Sequence, residues 1–279
     1  MLYWLAQSDY ISVFNLFRYI FIRAGSAIAT AIFLALFFRW LISQMDPGRR
    51  TGLVVRREST WSQNVSGIES PAMDAPALLS ATFVSILLWA NFLNSNIWIV
   101  IGTAIGFGWV GFCDERATHQ GHRPFSRRTR LLIETIIAVG AWTVTYMIRR
   151  KLLATSPGVE ERSSAFSLIS MVLGAVLIVC AANAVKLLDG VYRFAMAAGV
   201  VGITAYLTGN LILARDFHLP FVTGTGELAI PCAAVAGGLL GIVLFKAPPA
   251  PSFIGEMGSL ANGAVLGVVG MAIWTAPAP

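Results

Sequence analysis

The sequence predicts an all-α polytopic membrane protein with about eight spanning helices. Hydrophobic residues make up 56% of the 279-residue chain and charged residues only 12%, with a mean hydropathy of +0.72, whereas soluble domains carry about 25% charged residues. The hydrophobic residues fall into runs of roughly the 20 residues that a helix needs to cross a bilayer. Within each run they are continuous rather than alternating, which favours helices over a membrane β-barrel.

Eight apolar segments follow one another and are expected to form a single integral-membrane domain covering residues 1–279. An aromatic stretch before the first segment indicates an interfacial lead-in, because it lacks the basic start and small-residue cleavage site of a signal peptide. Glycines within the later segments predict close helix packing; they are Gly237, Gly238, Gly241, Gly263 and Gly267. The segments are residues 24–42, 75–92, 97–113, 131–148, 164–182, 194–214, 228–245 and 259–276.

The distribution of basic residues predicts the orientation. Most of the 20 lysines and arginines fall in the connections on one side of the membrane, and the positive-inside rule places that side in the cytoplasm. A basic triplet at 149–151 lies on the other side and weakens this bias. The net charge of +6 is explained by these connections and does not indicate a nucleic-acid partner.

Four acidic residues lie at segment ends on the predicted cytoplasmic side: Asp114, Glu115, Asp189 and Glu256. The first two follow directly after the uncharged run at 97–113. Hard oxygen ligands beside a basic loop are what a magnesium and diphosphate site needs, because the metal shares its coordination between carboxylates and phosphate oxygens. Solvated acids at helix ends are the alternative, and the residues alone leave both open.

Three polar motifs point to a known family. GFGWVGFCDE occupies 106–115, NAVKLLDG occupies 183–190, and FIGEMGSL occupies 253–260. In this order they resemble the corresponding motifs of the phospho-N-acetylmuramoyl-pentapeptide transferases, which belong to the polyprenyl-phosphate phosphosugar transferases of glycosyltransferase family 4. The resemblance runs from residue 1 to about residue 270.

The resemblance implies an activity in peptidoglycan synthesis. Members of the family move phospho-N-acetylmuramoyl-pentapeptide from UDP to undecaprenyl phosphate, forming lipid I and UMP with Mg2+, at the cytoplasmic face of the bacterial inner membrane. The implied partners are therefore UDP-MurNAc-pentapeptide, undecaprenyl phosphate and membrane lipid, and a homodimer is compatible with the family. By position, the implied catalytic residues are Asp114, Glu115 and Asp189, the metal ligands are Glu256 and Asp114, and the cofactor-binding residues are Asn183, Lys186 and Lys246.

The chain departs from the family pattern at this expected site. Glu115 and Glu256 stand where the family has aspartates, and the extra methylene moves each carboxylate by about 1.5 Å. Lys186 and Lys246 stand where the family has asparagines, so each brings a positive charge into a site meant for a cation. We expect such a lysine either to contact a phosphate in place of the metal or to form an ion pair with Asp189 or Glu256.

Two functional hypotheses follow. The first is an active phosphosugar transferase that tolerates the two glutamates. The second is a catalytically degenerate paralogue that keeps the scaffold to bind the lipid carrier or to regulate other membrane proteins. The departures from the family pattern favour the second hypothesis, as does the end of the sequence at Pro279, before the family's last two spans and His-rich loop. Common descent with the family favours the first hypothesis. A transporter has little support, because the polar motifs lie at helix ends rather than at midplane breaks.

Overall fold

The computed structural model describes residues 20–45, 74–119, 125–154, 164–191, 226–245 and 254–274. All regular secondary structure of these residues is helical, with short connections at 90–94, 125–126 and 254, which confirms the predicted all-α fold class. The helices are α1 (Ile20–Met45), α2 (Asp74–Trp89), α3 (Ser95–His119), α4 (Arg127–Ala154), α5 (Ser164–Val191), α6 (Ala229–Phe245) and α7 (Gly255–Trp274), with a 3-10 turn (Gly226–Leu228) before α6.

Four of these helices are long and apolar enough to cross a membrane, namely α1, α3, α4 and α5. Helices α2 and α6 are shorter apolar helices. The protein is therefore a polytopic helical membrane protein. Seven of the predicted segments each overlap one helix, and the segment at 194–214 lies outside the described residues, so the number of eight spans stays a prediction.

Several helices extend beyond the apolar runs from which they were predicted. The run at 97–113 belongs to a helix that continues to His119, and the run at 164–182 belongs to one that continues to Val191. Apolar composition marks the part of a helix that lies in hydrocarbon, but the backbone hydrogen bonds of the helix continue into the polar region. As a result the polar motifs of α3 and α5 lie on rigid helical turns.

Helices α6 and α7 form the centre of the bundle. Helix α7 packs between α3 and α5, whereas α6 packs against α1 and α2. Small residues permit this close approach: a Cβ on Gly263 would lie 2.6 Å from Cα of Ala182, and one on Gly237 would lie 2.5 Å from the carbonyl oxygen of Ile28. The predicted packing role of these glycines is thus confirmed. Large apolar side chains on the outer helices remain exposed, as expected of surfaces that face lipid.

The helix directions bring the polar ends of four helices together. Helices α3 and α5 end, and α4 and α7 begin, at the same end of the bundle, which we call the charged end; it is defined by Asp114, Arg130, Lys186 and Glu256, which contact one another. At the opposite end, the start of α1 meets the end of α2 and the turn before α6 through Arg23, the carbonyl of Trp89 and Glu227.

Candidate functional site

Asp114 is the most constrained acid of the charged end. It lies on the sixth turn of α3 and is only 4% exposed. Its Oδ1 accepts a hydrogen bond of 2.9 Å from the backbone N–H of Phe125, and its Oδ2 accepts one of 3.3 Å from Nη1 of Arg130. These bonds fix the carboxylate between the end of α3 and the beginning of α4.

Lys186 bridges two of the predicted site acids. Its ammonium nitrogen lies 2.6 Å from Oε1 of Glu256 and 4.0 Å from Oδ2 of Asp114. The lysine comes from α5, and the two acids come from α7 and α3. Of the two roles expected for a lysine at this position, the structure therefore shows the ion pair with Glu256.

A second polar group lies directly beside this bridge, deeper in the bundle. Nδ2 of Asn183 donates a 2.6 Å hydrogen bond to Oε2 of Glu134, and Oδ1 of Asn183 accepts one of 3.4 Å from Nη2 of Arg130. Nε of Arg130 lies 3.3 Å from Oε1 of Glu134, at ion-pair distance but without hydrogen-bond alignment. Arg130 thus connects Asp114 to the buried pair of Asn183 and Glu134.

Glu134 is a residue of this cluster that the sequence motifs do not single out, because it lies inside the predicted apolar segment at 131–148. Its side chain is completely buried. Two signals were available in the sequence. An acidic residue within a spanning segment is costly and marks a functional or structural polar site, and its i,i+4 spacing from Arg130 is that of a helical ion pair.

Glu115 lies against the start of α7. Gly255, the first residue of that helix, has a φ of +82°, a conformation that side chains with a Cβ rarely adopt. A Cβ on this glycine would lie 3.0 Å from Oε1 of Glu115. A carboxylate at a helix N-terminus is stabilised by the helix dipole, so Glu115 joins α3 to α7 near the lysine bridge.

The remaining predicted residues are placed only in part. Asp189 belongs to the last turn of α5, but its side chain lies outside the described residues, as does the whole of Lys246. The structure therefore brings Asp114, Asn183, Lys186 and Glu256 into one connected cluster and places Glu115 beside it. Their predicted catalytic and binding roles stay predictions.

The described side chains do not fit a magnesium ion. Among the parts of the chain that the structure describes, no group of three or more histidine, cysteine or acidic side chains is arranged to hold a metal. Magnesium requires near-octahedral oxygen coordination, whereas Glu256 binds the ammonium of Lys186 and Asp114 binds Arg130 and a backbone N–H. The cation beside these acids is a lysine of the chain itself.

Comparison with known proteins agrees with the motifs. The profile of the family described as "Glycosyl transferase family 4" matches residues 97–274, a range that contains all the charged-end residues. A protein of Rhodopseudomonas palustris (strain BisA53) named phospho-N-acetylmuramoyl-pentapeptide-transferase is 38% identical over 285 residues, which cover 98% of this chain and 79% of that relative. The chain therefore belongs to glycosyl transferase family 4 and, within it, to the phospho-N-acetylmuramoyl-pentapeptide transferases.

Proposed function

We propose that this protein transfers phospho-N-acetylmuramoyl-pentapeptide from UDP to undecaprenyl phosphate, forming lipid I and UMP at the cytoplasmic face of the bacterial inner membrane. The observation that carries the proposal is the cluster of Asp114, Arg130, Lys186 and Glu256, which four helices bring to one end of a membrane-embedded bundle. The cluster combines carboxylates with cations that can face phosphate groups.

The position of the cluster suits one substrate in the bilayer and one in water. The tail of a lipid phosphate lies among the acyl chains and its phosphate lies at the membrane surface, where spanning helices end. Asp114 and Lys186 lie just beyond the apolar runs of α3 and α5. A water-soluble nucleotide sugar reaches the same level from the cytoplasm, so both phosphates can meet there.

The reaction requires positive charge because both reactants are anions. An oxygen of the lipid phosphate attacks the phosphorus that carries the sugar, and the bond from this phosphorus to the UMP oxygen breaks. Fixed cations that face the transferring group stabilise the charge that develops in the transition state. Arg130 offers a planar fork of donors and Lys186 offers a compact charge, and both are partly exposed, at 16% and 19%.

Asp114 is proposed to position Arg130 as well as to serve as one of the catalytic acids suggested by family position. Its bonds to the Phe125 N–H and to Arg130 restrict where the guanidinium can point. Members of the family depend on Mg2+ in general. Since the described side chains do not fit that ion, no step of the proposed reaction is routed through it.

The activity is tested by measuring UMP release from UDP-MurNAc-pentapeptide by the purified protein in detergent, with and without undecaprenyl phosphate and with Mg2+ present. We expect lipid-dependent release that falls by about 100-fold or more in Asp114→Asn and Arg130→Met, as when transition-state contacts are lost. Arg150→Met is the matched control, because this exposed arginine lies about 30 Å along the same helix. No release above a heat-treated control would refute the proposal.

A further inference from the structure

We infer that the ammonium group of Lys186 takes the place of the divalent cation between Asp114 and Glu256, so that the protein carries its own cation to the diphosphate of its substrate. The reference to a diphosphate rests on the proposed function. The exclusion of the metal rests on the side-chain geometry alone and is tested separately.

The first argument is the position of the lysine nitrogen. It lies 2.6 Å from the carboxylate of Glu256 and 4.0 Å from that of Asp114, so it stands between acids that two other helices supply. The lysine side chain is 19% exposed. A charged nitrogen that is held on one side by two acids and reachable on the other can face an incoming phosphate.

The second argument is that three of the four carboxylate oxygens of Asp114 and Glu256 are already engaged. Oε1 of Glu256 binds Lys186, Oδ1 of Asp114 accepts the Phe125 N–H, and Oδ2 of Asp114 accepts from Arg130. A magnesium ion at this position would have to displace the lysine and remain close to the arginine. It would exchange favourable ion pairs for the repulsion of two like charges at short range.

The third argument is the balance of charge. Lys186 and Arg130 both lie against Asp114, and together they carry two positive charges, the same as one magnesium ion. Arg130 is anchored from behind by Asn183 and Glu134. The pair can therefore offset phosphate repulsion from fixed positions, which is what electrostatic stabilisation of a transition state requires.

The test measures metal binding directly, with Mn2+ as the probe. Free Mn2+ is followed by electron paramagnetic resonance while it is titrated into the purified protein in detergent. We expect no saturable binding by the native protein. Lys186→Asn and Lys186→Met, which both remove the charge, should show saturable binding. Their dissociation constants should lie at least about tenfold below the highest Mn2+ concentration at which the native protein shows none, a difference of ~1.4 kcal/mol. Lys151→Met, on the last turns of α4 at the opposite end of the bundle, should not differ from the native protein.

Folding of each variant is checked by its elution volume and its unfolding midpoint, and two neutral replacements are used so that one misfolded variant does not decide the result. Saturable Mn2+ binding by the native protein would overturn the inference. So would a failure of both folded Lys186 variants to gain binding.

Measurements of UMP release separate this inference from the proposed function. Release of UMP by the native protein should persist in excess EDTA, and a loss of release that added Mg2+ restores would overturn the role of Lys186. If no UMP is released under any condition, the proposed function fails, whereas the Mn2+ titration still decides whether the lysine excludes the metal.

Discussion

Glu227→Gln should destabilise the protein more than the simultaneous loss of Glu227 and its partner Arg23. The guanidinium of Arg23 is completely buried. It donates hydrogen bonds of 3.1 and 2.9 Å to the carbonyl oxygen of Trp89, and bonds of 3.1 and 2.5 Å to the two carboxylate oxygens of Glu227. These bonds join α1, the end of α2 and the turn before α6.

The magnitude follows from what each replacement leaves behind. Glu227→Gln retains the shape but removes the negative charge that faces the buried guanidinium of Arg23, and breaking a buried pair in this way costs about 3–5 kcal/mol. The Trp89 carbonyl still accepts from Arg23, so we expect about 3 kcal/mol. The double variant Arg23→Met with Glu227→Gln removes both charges of this pair. It leaves the Trp89 carbonyl without these donors, which costs about 1–3 kcal/mol, and we expect the lower part of that range.

The free energy of unfolding is measured by titrating detergent-solubilised protein with SDS and following its circular dichroism. Arg128→Met provides the control, since this exposed arginine should change stability by no more than about 0.5 kcal/mol. Arg23→Met alone leaves both the Trp89 carbonyl and the Glu227 carboxylate without these donors, so it should cost at least as much as the double variant, about 1 kcal/mol or more. The expected coupling between the two positions is therefore about 3 kcal/mol or more, which a double-mutant cycle resolves. If the effects of the single replacements simply add in the double variant, the buried ion pair does not stabilise this end of the bundle.

Three further outcomes are expected. Gly111→Ala should cost about 2 kcal/mol or more in the same titration, because its Cβ would lie 2.6 Å from an α7 backbone atom. Gly102→Ala on the same helix meets no atom within 4 Å and should be neutral or slightly stabilising. Equal effects of the two replacements would contradict the packing of α3 on α7. Gly255→Ala should lower the free energy of unfolding by about 1–2 kcal/mol, because a residue with a Cβ is strained at a φ of +82°. An unchanged unfolding midpoint would rule out this backbone strain. Glu134→Gln should lower kcat for UMP release about tenfold, with KM little changed, because it loosens Arg130 and Asn183. Thr135→Val, at the exposed neighbouring position, is the control and should match the native protein. A change confined to KM would argue against a role of Glu134 in positioning Arg130.

The fold class and part of the site follow from local pattern. An uncharged run as long as 97–113 has to be buried in lipid or in protein, and the acids after it lie where a helix leaves that environment. The motifs at 183–190 and 253–260 also end or begin apolar segments. Alternating helix directions are then sufficient to bring Asp114, Lys186 and Glu256 to one end of the bundle, as the structure shows.

The partners of individual side chains could not be predicted in the same way. Lys186 had two candidate acids, and only the packing of α5 against α7 brings it to Glu256. Asn183 and Glu134 lie 49 positions apart, and Arg23 and Glu227 lie 204 apart. Such pairs depend on how the helices rotate about their axes, and continuous apolar runs carry little information about rotation because both faces are hydrophobic.

The departures from the family pattern are easier to explain together than singly. A lysine in place of asparagine at position 186 adds a charge beside the membrane core, and such a charge is costly unless an acid lies within reach. Glu256, one methylene longer than the family's aspartate, supplies that acid at 2.6 Å. Arg130 meanwhile pairs with Asp114 and with the buried Glu134. A site that had merely decayed would be expected to contain unpaired charges, whereas Lys186, the incoming lysine that the structure describes, meets Glu256 and Asp114. This pairing supports the inference that Lys186 serves as an internal cation of the site, and the Mn2+ titration of the Lys186 variants tests it.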